Sequence, residues 1–140
     1  MPTPRESLAA ECARNGERDV VARCVTLIDG GGADDAFLMA ISCGEAGQVL
    51  EGREGGRTGY WPRVWAARAL LYAWDAAAGG AIVRATGDAH WRVREMAAKV
   101  IARRLVGDGL EAVARLRADP VPRVRAAAER ALVALTAGAA

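Results

Sequence analysis

Apolar side chains recur every three to four positions along most of the chain, the spacing of amphipathic helices rather than strands. Residues 91–104 place Val93, Met96, Ala97, Val100 and Ile101 on one stripe. Arg92, Glu95, Lys99 and Arg103 fall on the opposite face, with Glu95 and Lys99 in the favourable i, i+4 order. Residues 122–136 repeat the pattern with Val124, Ala127, Ala128, Ala131, Leu132 and Leu135. Between the two, Gly107 breaks the chain and Asp108 caps a shorter helix carrying Leu110, Val113 and Ala114 inward; Asp119-Pro120 stops it. Upstream, Trp61-Pro62 opens a helix to about residue 72, and a weaker helix over 75–85 contains Gly79 and Gly80.

The first 50 residues are helical by the same reasoning. Thr3-Pro4-Arg5-Glu6 is a capping box with proline at the first helical position. The spacing predicts a helix over 4–15 with Gly16 as a left-handed stop. A second, over 18–28, aligns Val20, Val21, Cys24, Leu27 and Ile28 and ends at Gly30-Gly31-Gly32. A third, over 34–42, carries Phe37, Leu38 and Ile41, and a short fourth spans 45–50. Residues 51–59 hold four glycines and read as a long loop inside a single domain of 140 residues. The final stretch, 137–140, is expected to fray.

One phrase occurs twice. Asp88-Ala89-His90-Trp91-Arg92-Val93-Arg94 returns as Asp119-Pro120-Val121-Pro122-Arg123-Val124-Arg125, offset by 31 residues, each copy followed by an Ala-rich amphipathic stretch. A period of that length is the signature of stacked helix pairs, each burying its apolar face on its neighbours.

The pattern Asp-Pro-x-x-x-Val-Arg-x-x-Ala-x-x-Ala-Leu resembles HEAT and HEAT-like repeats. It stands as Asp119-Pro120, Val124-Arg125, Ala128 and Ala131-Leu132, and before that as Asp88, Val93-Arg94, Ala97 and Val100-Ile101. A more divergent third copy lies around Trp65-Ala66, Ala69 and Tyr72, and the run His90 to Lys99 is similar to short bacterial HEAT-repeat proteins. The resemblance covers residues 60–140. It implies an all-α, right-handed α-α superhelix, a solenoid of about four helix pairs with the last incomplete. It also implies that Arg94 and Arg125 serve as structural ion-pair formers with Asp88 and Asp119 at the turns of their own or adjacent repeats.

Composition narrows the chemistry. Apolar content is 52% but aromatic content only 5%, so the core is built of Ala, Val and Leu. No apolar run reaches the ~20 residues of a membrane span, and the first residues lack a signal-peptide core, so a cytoplasmic protein without a membrane partner is expected. Cys12, Cys24 and Cys43 lack paired metal spacing and read as reduced, buried thiols; with His90 the one histidine, no metal site is expected. His90 reads as a polar helix-start residue, because a general base would need a nucleophile and an orienting group. The glycine clusters lack the ending of a phosphate loop, so no cofactor is expected. Charge is uneven: residues 1–52 carry net −5 and residues 53–140 net +7. Such asymmetry fits an electrostatic partner, or attraction between the halves or between copies of the chain.

Arg92 and Arg123 precede the core valines and should point outward; with Arg63 they recur once per unit, and Arg103 and Arg104 add to the row. That row is either a solvated face or a track for phosphates. All four tryptophans lie between 61 and 91. Trp65 and Trp74 are expected to fill the core, whereas Trp61 and Trp91 start equivalent helices at the rim, beside arginines. The first functional reading is a non-enzymatic binding or scaffold module that holds another protein through Trp61, Trp91, Arg63, Arg92, Arg103 and Arg123. The second is nucleic-acid binding, related to the HEAT-like DNA glycosylases of alkylation repair; Trp91 with Asp88, or Trp74 with Asp75, is the nearest match to their Trp and Asp. The third is a self-associating unit, a homodimer through the unpaired C-terminal helix.

Overall fold

The first helix forms where the sequence places its cap. Glu6 donates its backbone N–H to the Thr3 hydroxyl at 3.1 Å and its carboxylate reaches back to the Thr3 N–H at 3.5 Å. Pro4 then starts α1, Pro4–Asn15. Gly16 ends it at φ 87°, but with ψ 141° the chain leaves extended rather than in a left-handed turn. The extended exit lets α2, Glu17–Ile28, begin immediately. In this computed structural model, which describes residues 2–137, every regular element among those residues is helical. Residues 138–140, part of the stretch expected to fray, lie outside the described residues.

Two compact units emerge, residues 1–78 and 79–140. In the first, α2 packs on α1 and on α5, Trp61–Ala69, while α3, Asp35–Ile41, packs on α1 and α5. Its core holds the expected Val20, Val21, Cys24, Leu27, Ile28, Phe37, Leu38, Ile41 and Trp65, joined by Leu8 and a run of alanines from α5. Asp34 caps α3 by accepting from the Phe37 N–H at 2.8 Å. A single turn, α4, Gly47–Leu50, follows. The glycine-rich segment is not a plain loop or a boundary between units. It folds into turns and a 3₁₀ turn, Gly56–Thr58, inside the first unit. Gly59 suits the turn, because a Cβ there would lie 3.0 Å from the Gly55 backbone, tighter than most Cβ contacts.

α5 stops at Ala69, three residues short of expectation, since residues 70–72 bond three back rather than four. The expected helix over 75–85 is likewise divided: a 3₁₀ turn, Ala76–Ala78, precedes α6, Gly79–Ala85. Gly79 and Gly80 thus start a helix instead of weakening its middle.

In the second unit α7, Trp91–Arg104, lies against α6 and against α9, Pro122–Thr136, and α9 also packs on α8, Leu110–Leu116. α7 and α9 begin 31 residues apart, as the repeated phrase requires. Val93, Ala97, Val100 and Ile101 of α7 and Val124, Ala127, Ala128 and Ala131 of α9 are all buried. Leu132, Leu135 and Met96 are half-buried. The alanines let helix backbones approach closely.

Three local expectations change. Leu105, at φ 52°, ends α7 before Gly107 is reached. Asp108 sits in a 3₁₀ turn, Gly107–Gly109, and Gly109 is the N-cap of α8. The tighter turn rotates the helix, so Ala112, Val113 and Leu116 face inward while Leu110 (43% exposed) and Ala114 do not. Gly109 seats this turn: a Cβ would lie 3.0 Å from the Ile101 side chain. Glu95, placed by periodicity on the solvent face, is buried at 6% exposure because α9 covers a second side of α7.

Candidate functional site

The turns ahead of α7 and α9 are built alike. Asp88 accepts from the His90 N–H at 2.9 Å and Asp119 from the Val121 N–H at 2.9 Å. Arg94 donates to the Asp88 carbonyl at 3.0 Å, and Arg125 to the Asp119 carbonyl at 2.7 Å. Arg94 does more. Its Nη1 also reaches the Ala89 carbonyl at 3.2 Å, and its Nε and Nη2 grip both oxygens of Asp119, at 2.7 and 3.2 Å. This bidentate pair joins one repeat to the turn of the next, with side chains 15% and 5% exposed. Burial tends to raise the Asp119 pKa; the hydrogen bonds from Arg94 and the Val121 amide and the charges of Arg94 and Arg125 outweigh it and lower it. The Arg94–Asp119 ion pair thus ties the two turns together.

The second cluster surrounds Trp91. His90 is the N-cap of α7, its Nδ1 accepting from the Arg92 N–H at 3.2 Å. Its ring stacks on Trp91 at 6.0 Å between centroids. The Arg92 and Arg123 guanidinium carbons lie 4.6 and 5.2 Å from the centre of the same indole. Both are within cation–π range. The Arg123 Nε donates to Glu95 at 3.0 Å, and Lys99 stands 3.8 Å from the same carboxylate. Glu95 therefore anchors the cation that flanks Trp91 from the neighbouring helix. Two arginines and one indole form a half-buried aromatic platform edged by positive charge.

The third cluster lies in the first unit. Trp61 starts α5 as Trp91 starts α7, but its surroundings have the opposite sign. Its Nε1 donates to Glu54 at 3.1 Å, and its ring stacks on Trp65 at 6.2 Å and 22°. Glu45, Gln48, Val49, Glu54, Trp61 and Trp65 line a pocket of about 210 Å³. Glu54 holds a left-handed backbone at φ 56°, a conformation costing about 1 kcal/mol for a non-glycine residue.

The remaining expected residues are separate from these clusters. Arg63, in the first unit, donates to the Gly59 carbonyl at 3.1 Å. Arg103 is exposed near the end of α7. Trp65 is a core residue at 4% exposure, and Trp74 is half-buried, its backbone N–H bonded to Glu17 at 3.1 Å. All three cysteines are free thiols. Burial, and then the neighbouring Cys12, push the Cys24 thiol up to about 12; burial and the charges of Glu17 and Glu11 raise Cys12.

Sequence reasoning missed Glu95 as an anchor, and the pocket at Glu45 and Glu54 entirely. The Glu95–Arg123 bond spans 28 positions, and the pocket gathers separate short segments between residues 45 and 65. The one local signal was the glycine density around Glu54, which marked a tightly turning segment. Among the described residues no group of three or more His, Cys, Asp or Glu could hold a metal ion. None of the helices among them is long and apolar enough to cross a membrane. Comparison with protein-family models, curated proteins and solved structures gives no match.

Proposed function

We propose that this chain is a non-catalytic binding module, a HEAT-like right-handed solenoid that holds another protein through the platform at the start of α7. The observation that carries the reading is the Trp91 indole flanked by the Arg92 and Arg123 guanidiniums. Trp and Arg are the side chains that most often dominate binding energy at protein interfaces. Here they are held in place: Trp91 by the His90 ring, Arg123 by Glu95. A partner presenting a carboxylate beside an apolar side chain matches both the charge and the aromatic face. Arg103, Arg63 and Trp61 are peripheral to this platform in the reading. The 31-residue recurrence of helix starts and of the Asp turns supports the solenoid.

A second reading, nucleic-acid binding, has one observation in its favour: residues 79–140 carry a net charge of +5. A phosphate-tracking surface would lose affinity steeply with salt.

The test is affinity capture from the native cytosol with wild-type, Trp91→Ala and Arg92→Glu baits, beside a duplex-DNA titration at two salt concentrations. The protein-binding reading expects both variants to lose the captured partner at unchanged helicity. Undiminished recovery by both would discard this surface. Salt-sensitive DNA binding lost in Arg92→Glu would transfer the platform to the second reading.

A further inference from the structure

The pocket in the first unit is chemically unlike the Trp91 platform, and we propose that it binds an organic cation, a guanidinium or alkylated ammonium group. Its walls combine indole with carboxylate: Trp61 and Trp65 with Glu45 and Glu54, beside Gln48 and Val49. Indole is the best aromatic face for a cation, and a carboxylate beside it supplies the countercharge.

The charge pattern sharpens this. At least six of the eleven acidic side chains of the unit have a basic partner: Asp19 and Asp34 with Arg23, Asp35 with Arg57, Glu11 with Arg14, Glu51 with Arg53, and Asp75 with Arg18. Among the described residues Glu45 and Glu54 line the pocket without an ion-pair partner; Glu54 is held instead by the neutral Trp61 N–H at 3.1 Å. Arg53 comes to the rim, donating to Gln48 at 3.2 Å, but its charge is paired with Glu51. The result is an open recess with an indole floor and carboxylates at its edge, in a chain otherwise rich in arginine.

Size selects the ligand. About 210 Å³ is below the ~300 Å³ where drug-sized sites begin, and suits a side-chain head group or a very small molecule. A bare metal ion would leave the indole walls unused. A planar guanidinium can lie against indole while donating sideways to a carboxylate, and a methylated ammonium can fill the recess by shape. Such a cation is either a free small molecule or the arginine or methyl-lysine side chain of a peptide.

The experiment follows the four indole N–H signals of the full chain by NMR, assigned through single Trp→Phe variants. The probes are tetramethylammonium, N-methylguanidinium and an N-acetyl-arginine amide peptide, with sodium chloride at matched ionic strength as the reference. The expected result is a saturable shift of the Trp61 signal with at least one organic cation and none with sodium, while the Trp91 signal stays still. Glu45 and Glu54 are exposed, so the double variant Glu45→Gln, Glu54→Gln should keep wild-type helicity and bind about three- to thirtyfold more weakly. Tighter binding of the arginine peptide than of N-methylguanidinium assigns the pocket to a protein side chain, and the reverse to a free cation. No saturable shift with any probe, or equal affinity in the double variant, would overturn the proposal.

Discussion

Trp61 and Trp91 occupy the same local position, the first residue of a helix, and lie in opposite electrostatic settings. Trp61 is bonded to Glu54 and shares a pocket with Glu45; Trp91 lies under Arg92 and Arg123. The units around them have matching signs, net −3 for residues 1–78 and net +5 for 79–140. An indole at a helix start is a neutral platform of large area. The ions at its edge decide what it can hold: here they come from the turns before α5 in one case, and from α7 itself (Arg92) and α9 (Arg123) in the other. The construction differs too. The acidic unit surrounds its pocket with exposed carboxylates, whereas the basic unit fixes its platform through buried charge.

The contrast breaks most readily at that buried charge. Asp119→Ala leaves the largely covered Arg94 guanidinium without its carboxylate, and should cost about 3–5 kcal/mol in urea unfolding followed by circular dichroism. Arg117→Ala, which removes the exposed pair with Glu129, should cost less than about 1 kcal/mol. Similar costs for the two would mean that the Arg94 clasp is no stronger than a surface pair.

A smaller loss, about 1–3 kcal/mol, is expected for Glu95→Ala. It should come with a change in Trp91 emission as Arg123 loses its anchor. An unchanged spectrum would show that Arg123 does not depend on Glu95 for its position. Acid titration sharpens the same point. The carboxyl of Asp119 is more acidic in the folded state than its ordinary value of 3.8. Its stabilising effect is therefore complete above that value and disappears as pH falls through the lower, folded-state pKa. The stability difference between wild type and Asp119→Asn should shrink over that interval and stay constant at neutral pH. The gentlest test belongs to the acidic unit and leaves stability untouched. Cys24, with its thiol raised to about 12, should resist alkylation at pH 8 until urea unfolds the chain. Rapid labelling of the native protein would mean that the core around α2 opens readily.

Much of the helical layout is legible in the residues. The Thr3-Pro4-x-Glu6 cap, the Val93/Ala97/Val100 stripe and the Asp88/Asp119 turns are local signals, and each appears where the spacing puts it. What escapes is set by neighbours distant in sequence. Periodicity gives a helix one inner face, but α7 is covered on two sides, so Glu95 is buried against expectation. A 3₁₀ turn changes the phase of the helix after it, which is why Leu110 faces outward and Leu116 inward. The Trp61 pocket needs three separate segments, residues 45–49, Glu54 and α5, and no spacing rule joins them.

Arg94 and Arg125 are one design at two stages of completion. Arg94 grips its own turn and the carboxylate of the following one; for Arg125 the described residues supply the Asp119 carbonyl and no second carboxylate. The clasp thus works as a modular coupling. In the proposed solenoid, an aspartate 31 positions beyond Asp119 would offer Arg125 the grip that Asp119 offers Arg94, so the joint itself would need no redesign between units.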